Sequence, residues 1–123
     1  MPHQKQKFGD KGEAIAARHL KKNGYRIIEM NYRTKLGEID IIAKDKKTIV
    51  FVEVKTRKSW QFGNPKGAVT PAKQRKISMV ALQYLKTIDR RNPKARFDVV
   101  AITATRDTPQ IEIIKNAFEL AYG

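Results

Sequence analysis

The stretch GEIDIIAKDKKTIVFVEVK, residues 37–55, carries the acids Glu38, Asp40 and Glu53 and ends on Lys55. The whole chain has 26 lysines and arginines against 12 acids, so grouped carboxylates in its most strand-like part need a cause. Two carboxylates about 4 Å apart repel by roughly 4 kcal/mol at an effective dielectric of about 20. One lysine does not balance three acids. Protonation, an arginine or a divalent cation must supply the rest. An all-oxygen ligand set selects a hard ion, Mg²⁺ or Mn²⁺. The competing reading is a surface ladder of cross-strand salt bridges drawing on the plentiful lysines, and the motif alone leaves both open.

The elements that must position these residues follow from alternation. In a strand, successive side chains face opposite sides. The segment 37–43 puts Ile39, Ile41 and Ala43 on one side and Glu38, Asp40 and Ile42 on the other. The segment 48–55 puts Val50, Val52 and Val54 on one side and Phe51, Glu53 and Lys55 on the other. Paired as a hairpin around Asp45-Lys46-Lys47, the two apolar sides must match, because a slip by one residue would bury the acids among valines. Glu38, Asp40, Glu53 and Lys55 then share a face. Whether Asp40 stands opposite Glu53 or Phe51 depends on the turn.

Around this hairpin, residues 9–23 read as a helix, with Asp10 and Glu13 as a capping box and Asn23-Gly24 as its stop. Glu13, Ala16, Ala17 and Leu20 form its inward stripe, so Glu13 is an acid on an apolar face. Residues 25–32 read as a strand and 56–70 as a long basic loop. A second helix follows Pro71, with Ile77, Val80, Ala81, Tyr84, Leu85 and Ile88 on one stripe. Strands at 96–103 and 110–115 and a short final helix at 116–121 complete the order α-β-β-β-α-β-β-α. The third and fourth strands, joined by a helix, should be parallel. The fold class is α/β, a mixed central sheet flanked by helices.

The length of 123 residues suits a single domain, with residues 1–7 expected to be flexible. There is no cysteine, which excludes disulfides, thiol nucleophiles and Cys-based zinc sites. The sequence shows neither a signal peptide nor a run apolar enough to span a membrane, so a cytoplasmic protein without membrane partners is expected. A net charge of +14 and a pI of about 10.2 favour polyanionic partners, nucleic acid first.

Asp40, Glu53 and Lys55, spaced D-x12-E-x-K, resemble the signature of the PD-(D/E)xK nucleases, the restriction-endonuclease-like superfamily. The segments GEAIAARHLKKNGY, GEIDIIA, VFVEVKTR, FGNPKGAV and RFDVVAI, in that order, resemble the YraN family of bacterial proteins, similar in fold to Holliday-junction resolvases. The resemblance covers roughly residues 8–103. It implies a restriction-endonuclease-like domain and phosphodiester hydrolysis with Mg²⁺ or Mn²⁺. Asp40 and Glu53 match the metal-binding acids, with the Val54 carbonyl as a further ligand. Lys55 matches the catalytic lysine and Glu13 the helix-one acid, reaching the ion or its water. Ile39 replaces the proline of the pattern, and Glu38 is an additional acid, either a second-metal ligand or the salt-bridge partner of a lysine. Homodimerisation is expected only by analogy with the resolvases.

Arg33, Lys35, Arg57, Lys58, Lys66, Lys73, Arg75 and Lys76 flank the motif and are the expected phosphate contacts, DNA ahead of RNA, with structured or branched DNA as a possible substrate. Trp60 and Phe62 lie among them, placed either to stack on an unpaired base or to pack the loop onto the core. Two other functions remain: nucleic-acid binding without cleavage, and a scaffold that docks on an acidic protein or on rRNA.

Overall fold

The first helix starts in the run QKQK, residues of good helix propensity. In the computed structural model it forms α1, Gln4–Lys22. The structure describes residues 4–57, 69–88, 94–104 and 108–119, with the side chains of α1 from Gly12 onward. Because α1 begins at Gln4, Asp10 lies inside the helix, and the expected capping box at Asp10 is not its start. The expected stop is in place. Gly24 takes a left-handed φ of 89°, and the Tyr25 amide donates to the Leu20 carbonyl at 3.0 Å. Gly12 permits a close approach, since a Cβ there would stand 2.8 Å from Thr56 Cγ2.

Five strands follow: β1 (Arg26–Thr34), β2 (Gly37–Asp45), β3 (Thr48–Arg57), β4 (Ala95–Thr103) and β5 (Gln110–Phe118). They form one sheet in the order β1-β2-β3-β4-β5. The helix α2, Pro71–Thr87, carries the chain from β3 to β4, and that pair is parallel as expected. The other neighbours are antiparallel. Over 116–118 the expected final helix is replaced by the end of β5, and residues 120–121 of that expectation lie outside the described residues. Asn116 absorbs a bulge with a φ of 54°, and Phe118 stacks on Phe97 with ring centroids 4.7 Å apart. A helix over 116–118 would pull Phe118 off that ring.

The sheet separates two apolar layers. Under α1, Ala16 and Leu20 pack on Ile41, Ala43, Val50 and Val52. Under α2, Ile77, Val80 and Tyr84 pack on Ile42, Phe51 and Phe97. Ser78 is buried beside them, while Leu85 and Ile88 are partly buried at the layer's margin. Alternation holds along β3, but β2 departs from it. Ile39 belongs with Ile42 and Phe51 under α2, not with Ile41 and Ala43. Opposite this reversal, Asn31 on β1 has a φ of 53°. The side switch falls at Asp40.

Candidate functional site

The β2–β3 hairpin turns on Lys46-Lys47, with Lys46 at a φ of 57°, and this fixes the register: Asp45 pairs with Thr48 and Ile42 with Phe51. Continued, that register would set Asp40 opposite Glu53. Pairing stops one step earlier, at Ile41 and Val52, while β2 stays paired with β1 down to Gly37. The two strands therefore diverge at Asp40. The Val54 amide, which faces β2, donates to Asp40 Oδ2 at 2.8 Å in place of a strand carbonyl. In a strand the N–H and C=O of one residue point to the same side, so the Val54 carbonyl opens toward this gap as well.

Glu53 is buried, with 6% of its surface exposed. It stands on the α2 side of β3, next after Phe51 in the alternation. Lys73, from the first turn of α2, forms an ion pair with Glu53 Oε1, and Lys55 Nζ lies 3.7 Å from the same oxygen. Burial opposes the charge of Lys73, but its hydrogen bond to Glu53 and the nearby negative charge hold its pKa above the ordinary lysine value. Lys55 moves the other way, pushed down by burial and by the neighbouring Lys73 ammonium. Asp40 has no lysine in salt-bridge contact among the described residues. Burial first, then the charge of Glu53, raises its pKa to about 7, with Glu13 adding to the rise and the Val54 hydrogen bond opposing it. Here two acids are held together against their mutual repulsion.

The remaining expected residues take varied places. Glu13 is half-buried on α1 and acts on Asp40 through its charge. Among the described residues, no three His, Cys, Asp or Glu side chains gather into one ligand set. Glu38 is exposed and pairs with Arg33 at 3.1 Å, an arginine and not a lysine as its partner. Lys35, Arg75 and Lys76 are exposed and Arg57 is half-buried. Lys58, Trp60, Phe62 and Lys66 lie outside the described residues. The start of β2, the end of β3 and the start of α2 meet at one end of the sheet, so the basic residues they carry share that end. In sheets with parallel strands, ligands bind at the carboxyl ends of those strands, and this is that end for β3 and β4. Thr103, the last residue of β4, has a buried hydroxyl there with no hydrogen-bond partner among the described residues.

Sequence reasoning placed Lys73 among phosphate contacts and missed its ion pair with Glu53. It also missed a second polar cluster toward the opposite end of the sheet. Asp98, fully buried, accepts from Tyr25 Oη at 2.8 Å, from Arg96 Nε at 3.0 Å and from the Asn116 amide at 2.9 Å. Arg96 also donates to Asp45 at 2.7 Å and to the Tyr25 hydroxyl at 3.0 Å. Burial, then the Asp98 hydrogen bond, pushes the Tyr25 pKa up to about 12. The spacing Arg96-x-Asp98 in a strand is a signal for this cluster, because it puts opposite charges on one face.

Comparison with known proteins gives a consistent result. The profile described as "Uncharacterised protein family UPF0102" matches residues 12–102. A UPF0102 protein of Syntrophus aciditrophicus is 55% identical over 94% of this chain and 91% of its own length. One from Geotalea uraniireducens is 56% identical, with 94% of this chain and 91% of the relative aligned. One from Caldicellulosiruptor saccharolyticus is 47% identical over 93% of this chain and 98% of its own. No helix among the described residues is long and apolar enough to cross a membrane.

Proposed function

The chain belongs to the UPF0102 family, and from the geometry of its carboxylate site we propose that it is a divalent-metal-dependent nuclease acting on DNA. One observation carries this reading: Asp40 and Glu53 are held together at the point where β2 leaves β3, so that the charge of Glu53 disfavours that of Asp40. A cation between them removes that cost. The available donors are carboxylate and carbonyl oxygens, which fit Mg²⁺ or Mn²⁺. Asp40, Glu53 and the Val54 carbonyl would hold the ion, with Glu13 close enough to contribute its charge. Such an ion supplies a water of lowered pKa and polarises a phosphoryl oxygen.

The protein's own groups do the rest. The Val54 amide fixes the Asp40 carboxylate, so the acid does not need to be oriented during turnover. Lys55 is partly buried beside Glu53, where its ammonium would orient an attacking water or donate to a phosphoryl oxygen that gains charge. Arg33, Lys35, Arg75 and Lys76 provide exposed positive charge at the same end for the DNA backbone.

A second reading, nucleic-acid binding without cleavage, is favoured by the Lys73–Glu53 pair, which neutralises Glu53 with no ion at all. Cleavage of labelled duplex, flap, single-stranded and four-way DNA in Mg²⁺, Mn²⁺ or EDTA separates the two. The nuclease reading expects metal-dependent products from at least one substrate and none from Asp40→Asn. Intact DNA throughout favours the other, and products that persist in Asp40→Asn overturn the assignment of the chemistry to this site.

A further inference from the structure

Two ammonium groups crowd one oxygen of Glu53, and the charge of Asp40 nearby favours both. Their settings differ. The Lys55 side chain is 26% exposed and anchored in the sheet, whereas that of Lys73 is 42% exposed and reaches in from α2. Lys73 also sits where a lysine is electrostatically misplaced. The first turn of a helix has a positive potential from its free N–H groups and favours anions. The first turn of α2 contains no acid, and Thr70 caps it by accepting from the Lys73 amide at 3.2 Å. The anion that holds Lys73 in this position is Glu53. If Glu53 is engaged elsewhere, Lys73 and the helix terminus together face an anion-shaped vacancy in their interactions, beside Lys55 and at the basic end of the sheet.

Resting on the metal-dependent reading above, we propose that Lys73 is an exchangeable counter-ion: it neutralises Glu53 in the ion-free protein and moves to a backbone phosphate of the DNA once Glu53 binds the divalent ion. The lysine thus competes with the metal for one ligand and then serves the substrate. Both consequences are measurable without turnover.

The test uses the full chain as wild type, Lys73→Met and Lys73→Arg, each first shown to melt cooperatively. Calorimetry with Mn²⁺ alone should show Lys73→Met binding the ion roughly threefold more tightly than wild type, the scale of a partly exposed ion pair. Lys73→Arg should stay near wild type. Binding of a duplex is then followed against salt, in Ca²⁺ and in EDTA. In Ca²⁺ the log–log salt slope of Lys73→Met should be smaller than wild type by about 0.9, one phosphate contact. In EDTA the two slopes should coincide, and Lys73→Arg should match wild type in both. Weaker Mn²⁺ binding by Lys73→Met would mean that Lys73 only buttresses Glu53, and overturns the proposal. Equal slopes in Ca²⁺, or the same difference in both buffers, also overturn it. Absence of Mn²⁺ heat from wild type removes the metal reading itself together with this one, which separates that failure from the others.

Discussion

Asp40 and Asp98 do the same local job two strands apart, Asp98 in the cluster that runs toward the other end of the sheet. Each takes a main-chain amide where strand pairing is broken: Asp40 the Val54 amide at the β2–β3 divergence, Asp98 the Asn116 amide at the β4–β5 bulge. Their surroundings are opposite. Asp98 is met by Arg96 and the Tyr25 hydroxyl, so its buried charge is compensated by donors. Asp40 is buried and met by the charges of Glu53 and Glu13, which Lys73 offsets only in part, so its charge is opposed. A compensated buried acid ties the α1–β1 connection, β4 and β5 together. An opposed one stores electrostatic strain that a cation can relieve. The contrast explains why the acidic hairpin end, and not the more extensive hydrogen-bonded cluster, is the candidate centre.

The largest expected effect lies at the compensated end. Arg96→Met leaves Asp98 buried with a missing counter-charge and should cost roughly 3–5 kcal/mol in urea unfolding. A loss under about 1 kcal/mol, the scale of an exposed pair, would erase the distinction between the ends. Next comes the ion itself. Mn²⁺ at about 100 times its dissociation constant should stabilise wild type by about 2.7 kcal/mol, and Asp40→Asn much less. Equal stabilisation of both proteins would place the ion elsewhere.

The pH dependence sharpens the comparison further. The folded-state pKa of Asp40, about 7, lies above the ordinary carboxylate value, so the fold holds this proton more tightly than the unfolded chain. Its contribution is fully present below pH 3.8 and is lost as pH rises to about 7. Asp45 has the opposite sign: its hydrogen bond to Arg96 keeps its pKa low, so its contribution holds at neutral pH and is lost only on strong acidification. In metal-free buffer, stability minus that of Asp40→Asn should therefore fall between about pH 4 and pH 7. The smallest effect belongs to the exposed pair: Arg33→Ala should change stability by less than about 1 kcal/mol.

Much of this was legible from residue order. The α2 stripe and the existence of the hairpin were legible because helical period and strand alternation are local properties, whereas the hairpin's register was left open until the turn was seen. Asp40, Glu53 and Lys55 could be singled out because acids and a lysine interrupt an apolar alternation. Ile39 was misplaced because strict alternation assumes an unbroken strand, and the divergence at Asp40 depends on β1 and its Asn31. The final helix was misjudged because stacking of Phe118 on Phe97 is a contact across 21 residues. Lys73 looked like any other basic residue of an exposed helix start. Its pairing with Glu53 exists only after α2 folds back onto the sheet.

The most direct test of the central contrast is urea unfolding of Asp40→Asn and Asp98→Asn in EDTA at pH 8. Each amide retains an oxygen for the neighbouring main-chain N–H. Opposite signs are expected: removing the charge at 40 relieves repulsion and stabilises the protein, and removing it at 98 strips Arg96 of its partner and destabilises it. If both substitutions destabilise the protein to the same extent, Asp40 is an ordinary satisfied acid, and the basis for a metal centre at this end of the sheet is gone.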